Sequence, residues 1–442
     1  MKVVAIGGVA ASMSAVSKLK RLNNNIEIVV YEKGDVLSYG ACGMPYFISD
    51  EIKHKEQLIA RTKEQFLEKG ILVEVFHEVL NVYDKENMIE VKNLKTNEVF
   101  KTSYDVLIVG SGASAMKLPI PGNTLKNIHP VKVFEDGVLV KHILENENIK
   151  DVVVVGGGFI GIEMVEALHT RGINVTLIEY SNHILTVFDD EVAIKLEKHL
   201  EENGVKVCLS ERVMEFRGQD KVDTVVTDKG TYHADLVIMS VGIKPNTSFL
   251  ESSNVLLQRG AVITDKFMRT NIPNIYSGGD CSLIYNKSVN DFMYLPMGSN
   301  ANKQGKIIAE NINGGHFEFE GVLGTIVIKV LDMEAAKTGI SEKEAVKRKI
   351  KHKIVTATGN NHAGYYPNPE KITVKIIYDP FTYVILGAEL VGRKDTALRI
   401  NMFVIAIHMG MTTKQLGFSD LAYAPPFAGV WDVVAQAANL AK

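Results

Sequence analysis

The sequence predicts an α/β protein: two strand–glycine turn–helix–strand units in tandem, then a terminal α+β segment that lacks such a unit. Three observations carry this reading. Residues 2–7 are an apolar run ending in Gly7-Gly8-Val9-Ala10-Ala11-Ser12; a helical pattern follows, and a second apolar strand over 26–31 ends at Glu32. The plan recurs where residues 152–155 lead into Gly156-Gly157-Gly158-Phe159-Ile160-Gly161, then a helix, Gly172, and a strand over 175–178 ending at Glu179. Beyond about residue 321 no glycine fingerprint remains; 326–330, 373–378 and 384–390 read as strands, and 342–348 and 396–409 as helices.

Each unit has the layout of a Rossmann-like dinucleotide site, with phosphates on the helix N-terminus and an acid on the ribose hydroxyls. In the first unit this assigns Gly7, Val9, Ala10 and Ala11 to the turn, and Glu32 with Lys33 to the ribose end. Val9 and Ser12 stand where the G-x-G-x-x-G pattern places glycine. Alone, this turn fits either a nucleotide site or an ordinary βαβ connection. The second unit carries the full pattern, assigning Gly156, Gly158, Phe159, Ile160 and Gly161, with Glu163 next along the helix. Glu179 would accept ribose hydroxyls and repel a ribose phosphate, and no arginine stands in 180–184, so NADH rather than NADPH is expected there.

After Glu179, a helix over 190–203 places Val192, Leu196 and Leu200 on one face, with Gly204 at its C-terminal end. Three more stretches end strands at glycine: VLIVGSG, with Ser111 and Gly112; LVIMSVG, with Gly242; and NIYSGGD, with Gly279 and Asp280. By themselves these are turns, and Asp280 is either a helix cap or an acid for a polyol hydroxyl.

Residues 38–50, SYGACGMPYFISD, hold Cys42 among Gly40, Ala41 and Gly43, small enough for a planar ligand to approach the backbone. Pro45 is expected to keep a helix from starting at once. With no second cysteine nearby, covalent chemistry at Cys42 needs a sulfur or oxygen from outside the chain; otherwise it is a small buried thiol.

A length of 442 residues suggests about three domains. A net charge of −3 gives no support to a nucleic-acid partner. Three widely spaced cysteines, Cys42, Cys208 and Cys281, exclude a disulfide framework and suit a reducing, cytoplasmic setting; Cys208 is expected in the core. No H-E-x-x-H or zinc-spaced Cys/His cluster is present, so no metal is expected. The apolar start reads as a strand entering a turn rather than a signal peptide, and no apolar run reaches ~18 residues, so no membrane span is expected.

Taken together, the two fingerprints with VLIVGSG, LVIMSVG and NIYSGGD resemble the pyridine nucleotide-disulfide oxidoreductase family over essentially the full length. The resemblance implies FAD in the first unit (1–114 and 246–320), NADH in the second (115–245) and a dimerisation domain (321–442). It implies Glu32 on the FAD ribose and Asp280 on the ribityl chain. A single cysteine in an S-x-x-x-C loop, here Ser38 to Cys42, resembles the branch of coenzyme A-disulfide reductases and NADH oxidases and peroxidases. The latter carry a histidine in the first turn, where this chain has Ala10. The reductases carry two tyrosines, in H-A-x-Y-Y-P and A-Y-A-P-P loops, matched here by Tyr365 and Tyr423. Departures are Ala41, where asparagine is common, and Trp431, where a basic residue can face the coenzyme.

On this resemblance Cys42 cycles through a mixed disulfide with coenzyme A, and Tyr365 and Tyr423 act from the second subunit of a homodimer as proton donors. Ser14, Lys18, Arg21, Ser38 and Asn302 match coenzyme-contacting positions, and Arg61, Lys63 and Lys69 would extend the cationic patch. For each lysine a solvated helix face is the alternative. Three readings remain open: a disulfide or persulfide reductase acting on coenzyme A, an NADH oxidase or peroxidase with a Cys42 sulfenic acid, and a non-enzymatic flavoprotein that senses NADH.

Overall fold

The structure, a computed structural model, describes residues 1–442. Its first sheet is parallel, in the order Ile275–Ser277, Val106–Val109, Lys2–Ile6, Glu27–Glu32, Leu72–Val75. The edge strand thus comes from beyond the second unit. The second sheet is also parallel: Lys206–Cys208, Asn174–Ile178, Asp151–Val155, Leu236–Met239, Ile128–Pro130. Central strands covered on both faces must be apolar throughout, and Val3, Val4, Ala5, Val152, Val153 and Val154 are all buried. Two antiparallel strands, Ala113–Ala115 and Ile243–Pro245, join the units.

The third body is an antiparallel sheet, Ile326–Val330, Met333–Gly339, Ile385–Gly392, Lys371–Tyr378, Lys353–Asn360, sharing a core with the helices Ile400–His408 and Val433–Asn439. No helix is long and apolar enough to cross a membrane. Met333–Gly339 (MEAAKTG) is a strand although Met, Glu, Ala and Lys favour helix. Two flanking strands override that preference, because they satisfy its backbone and cover Ala335 and Ala336.

Two local expectations are corrected. Pro45 does not delay a helix: Met44–Ile48 begins right after the Ala41–Gly43 turn, with proline in its first turn, where its missing N–H costs nothing. The helix expected over 396–409 opens as a separate 3₁₀ turn, Ala397–Arg399, before Ile400–His408.

The irregular first fingerprint has a packing explanation. In the second unit a Cβ on Gly161 would lie 1.9 Å from the Gly156 carbonyl oxygen, and Ser240, after the neighbouring strand, donates its hydroxyl to the Val155 carbonyl at 2.9 Å. In the first unit the two residue types are exchanged. Ser12 holds the helix position and donates to the Ile6 carbonyl at 3.0 Å, while Gly110 stands where Ser240 would. A Cβ on Gly110 would sit 2.3 Å from Ser12 Oγ. Gly110→Ser is therefore expected to destabilise the first unit by about 1–3 kcal/mol, typical of overpacking. Adding Ser12→Gly should recover most of the loss in apparent Tm; a double variant no more stable than Gly110→Ser would refute the exchange.

Candidate functional site

The two glycine turns build matching cradles. Gly7 and Gly156 leave their strands at φ +95° and +103°, and a Cβ on either would fall within 2.5 Å of a carbonyl oxygen, so only glycine fits. Glu32 accepts from the Gly8 N–H at 2.5 Å and the Gly34 N–H at 2.7 Å. Glu179 repeats this with Gly157 at 2.5 Å and Ser181 at 2.6 Å. Each acid is thereby fixed at the lip of its turn.

The helices that follow, Ala10–Leu22 and Phe159–Thr170, have no side-chain cap and no acid in the first turn. Their leading N–H groups and positive dipole ends are free for an anion. Val9 and Gly158 are the cap residues, and open space surrounds Gly158. Ala10, Phe159 and Ile160 are half-buried in the first helical turns. This donor set fits the diphosphate of a dinucleotide at both turns.

The strand-end turns lie around the first cradle and between the units. Gly112, Gly242 and Gly279 have positive φ. Ser111 donates to the Asn246 carbonyl at 2.5 Å, and the Gly279 N–H donates to Gln304 at 2.8 Å. A Cβ on Gly279 would touch Ala11, which sets Asp280 beside the start of the first helix. Lys33 points outward to Glu78 at 2.7 Å.

Cys42 is exposed on its short turn. Ser38, at φ +46°, ties this loop to the first cradle: its N–H donates to the Gly8 carbonyl at 2.9 Å, and its carbonyl accepts from Ala60 at 2.9 Å. Although the residue is exposed, partial desolvation of the sulfur, then Glu163, pushes the thiol up, while Lys132 pulls it down. Lys132 is held by Asp280 at 2.8 Å. Burial and the charge of Glu166 raise Glu163 to about 7. Glu166 is held by Lys329 at 2.5 Å and by the Leu331 N–H at 3.0 Å, both from the terminal domain. Sequence reading missed Lys132, Glu166 and Lys329, which lie in no motif and meet only through the fold. Glu163, expected at a cofactor, also acts on the thiol.

Tyr365 and Tyr423 meet hydroxyl to hydroxyl at 2.9 Å, and the shared hydrogen bond raises the Tyr365 phenol. Both are exposed, at 76% and 45%, and neither is among the main groups acting on Cys42 of the same chain. Exposed Phe418, Phe427, Val430 and Trp431 belong to the same C-terminal region. The first helix crosses Gly298–Ile312 closely at Gly305, which brings Ser14 Oγ to 2.5 Å from Asn302 Oδ1. Lys18 is paired with Glu310 at 2.5 Å rather than free, and Arg21 is exposed. Asp151, His233 and Asp235 cluster at the far end of the second sheet, where Asp235 accepts from two backbone N–H groups and pairs with His233.

Residues 1–305 match the family model for pyridine nucleotide-disulphide oxidoreductase, and residues 326–434 match the dimerisation domain of that family. The chain is 36% identical over 444 residues to an NAD(P)H sulfur oxidoreductase (CoA-dependent) of Pyrococcus furiosus, covering 100% of this chain and 99% of that protein. It is 33% identical over 441 residues to an NADH oxidase of Methanocaldococcus jannaschii, covering 99% and 98%. The solved structure of reduced Bacillus anthracis CoADR-RHD superposes with a TM-score of 0.97 at 31% identity, covering 100% of this chain and 80% of that one.

Proposed function

Because this chain belongs to the pyridine nucleotide-disulphide oxidoreductase family, which uses FAD and NAD(P)H, we propose that it carries electrons from NADH through FAD and Cys42 to coenzyme A disulfide or a related small disulfide or persulfide. The observation that carries the reading is the isolation of Cys42. It is exposed, while Cys208 and Cys281 are buried in separate cores, so its disulfide partner must come from outside the chain. The return of Ile275–Ser277 to the first sheet supports an FAD unit of 1–114 and 246–320, with 115–245 binding NADH and 321–442 dimerising. A homodimer with shared sites accounts for the exposed tyrosine pair. A cytoplasmic setting fits the three free cysteines.

When bound, the flavin and nicotinamide supply the two-electron chemistry. The N-termini of Ala10–Leu22 and Phe159–Thr170 hold the phosphates, and Glu32 and Glu179 the ribose ends. Lys132 holds Asp280, whose carboxylate would meet the ribityl chain. The Cys42 thiolate attacks one sulfur of the incoming disulfide, forming a mixed disulfide and expelling the other sulfur as thiolate. That thiolate takes a proton from the Tyr365–Tyr423 pair of the second subunit. Two electrons then cleave the mixed disulfide, restoring the Cys42 thiolate and releasing the second sulfur as a thiolate; that thiolate and the tyrosine pair each take a proton from solvent. Ser14 with Asn302, and Arg21, would line the coenzyme's approach.

Burial raises the Cys42 thiol most, and the nearby charge of Glu163 adds to it. Above about pH 7 its carboxylate opposes ionisation of Cys42; below that it is neutral. Glu163→Gln removes the negative charge, so the Cys42 titration should move to lower pH. Iodoacetamide alkylation of the reduced protein should then be several-fold faster near pH 8. An unchanged alkylation profile would show that Cys42 does not sense Glu163.

The oxidase reading has support in the Methanocaldococcus jannaschii relative, but Ala10 offers no proton donor in the first turn. Mass spectrometry of native protein separates the two. Coenzyme A added at Cys42 supports the reductase; added oxygen, with peroxide turned over far faster than coenzyme A disulfide, replaces it with the oxidase.

A further inference from the structure

We propose that Arg212, seated over Tyr180, is a specificity residue that receives the ribose 2′-phosphate of NADPH, offsetting part of the repulsion from Glu179 and admitting NADPH alongside NADH. The inference rests on reading the second unit as the nicotinamide nucleotide site. No arginine follows Glu179 in 180–184, but the fold supplies one from a distant stretch.

Lys206–Cys208 pairs in parallel with Asn174–Ile178, so the two strands end side by side. Beyond them the chain segments stay joined. The Glu211 N–H donates to the Glu179 carbonyl at 3.0 Å, the Ser210 N–H to the Ser181 carbonyl at 2.9 Å, and Ser210 Oγ to Asn182 at 2.8 Å. Ser210 turns the chain at φ +53°, and the Arg212 N–H is anchored by Asp228 at 2.9 Å. The guanidinium lies 4.9 Å from the Tyr180 ring centroid, and Nη2 donates to the Tyr180 hydroxyl at 3.0 Å.

Arg212 is exposed, and its one side-chain hydrogen bond is from Nη2 to the Tyr180 hydroxyl. Its remaining donors are unspent, and a planar guanidinium suits a phosphate better than a point charge does. Glu179, for its part, has both oxygens engaged by backbone N–H groups. Tyr180 directly follows Glu179, so the guanidinium seated on its ring belongs to the same strand end as the acid, and a ribose 2′-phosphate there would be an anion for its remaining donors.

The test uses FAD-loaded protein, with 5′-AMP and 2′,5′-ADP as probes measured by isothermal titration calorimetry. In Arg212→Ala the Kd for 2′,5′-ADP should rise ~10-fold or more, while that for 5′-AMP changes less than ~3-fold. Arg212→Lys should recover part of the loss. High salt should weaken 2′,5′-ADP in wild type more than in Arg212→Ala. Unchanged 2′,5′-ADP binding in Arg212→Ala, or an equal loss for both probes, overturns the proposal while leaving the nucleotide site standing. Failure of wild type to bind 5′-AMP overturns the reading of the second unit itself.

Discussion

Replacing Cys42 by serine is expected to lower NADH-dependent disulfide turnover by ~10³-fold or more while leaving reduction of bound flavin by NADH intact. A serine hydroxyl can neither ionise usefully near neutral pH nor form the mixed disulfide. No other sulfur can substitute. Cys281 is fully buried against the Val109 and Gly278 carbonyls, and Cys208 lies in the core of the second unit. The nucleotide cradles do not depend on the Cys42 side chain, since Ser38 makes its link to Gly8 through the backbone. Stopped-flow absorbance at the flavin band, run beside steady-state turnover with coenzyme A disulfide, separates the half-reactions. Turnover persisting within ~10-fold of wild type in Cys42→Ser would exclude the sulfur relay.

The second large effect is expected at the tyrosine pair. Two hydroxyls sharing one hydrogen bond spend one proton between them and leave the other for a departing thiolate. Tyr365→Phe with Tyr423→Phe should therefore slow disulfide turnover ~100-fold, as expected for loss of a positioned acid, and scarcely alter flavin reduction. Subunit mixing then asks whose cysteine the pair serves. A heterodimer of a Cys42→Ser chain and a Tyr365→Phe/Tyr423→Phe chain holds one complete site if the sites are shared, and should regain about half of wild-type turnover. If each pair served its own cysteine, every site would lack one component and no recovery would follow in verified heterodimers.

Both experiments act on residues that differ in how far the sequence alone could lead to them. Backbone geometry was legible where it is local. A glycine at positive φ after an apolar strand, and an acid at the end of the next strand, are determined within about 25 residues, so Gly7 with Glu32 and Gly156 with Glu179 could be read directly. Cys42 stood out for the same reason: its turn, its small neighbours and its lack of a second cysteine are all properties of one loop. The tertiary structure alone decided the rest, because those contacts join residues far apart in the chain. Ser12 makes sense in the first fingerprint only when Gly110, from a neighbouring strand, leaves room for it. Met333–Gly339 became a strand only because two partners cover it. Lys18 lost its free charge to Glu310 on a crossing helix. Lys132 reached Asp280, Lys329 reached Glu166, and Arg212 reached Tyr180 across parallel strand ends. A hydrogen-bonded contact needs its partners within about 3 Å, and no local pattern marks which distant side chain will arrive within that reach.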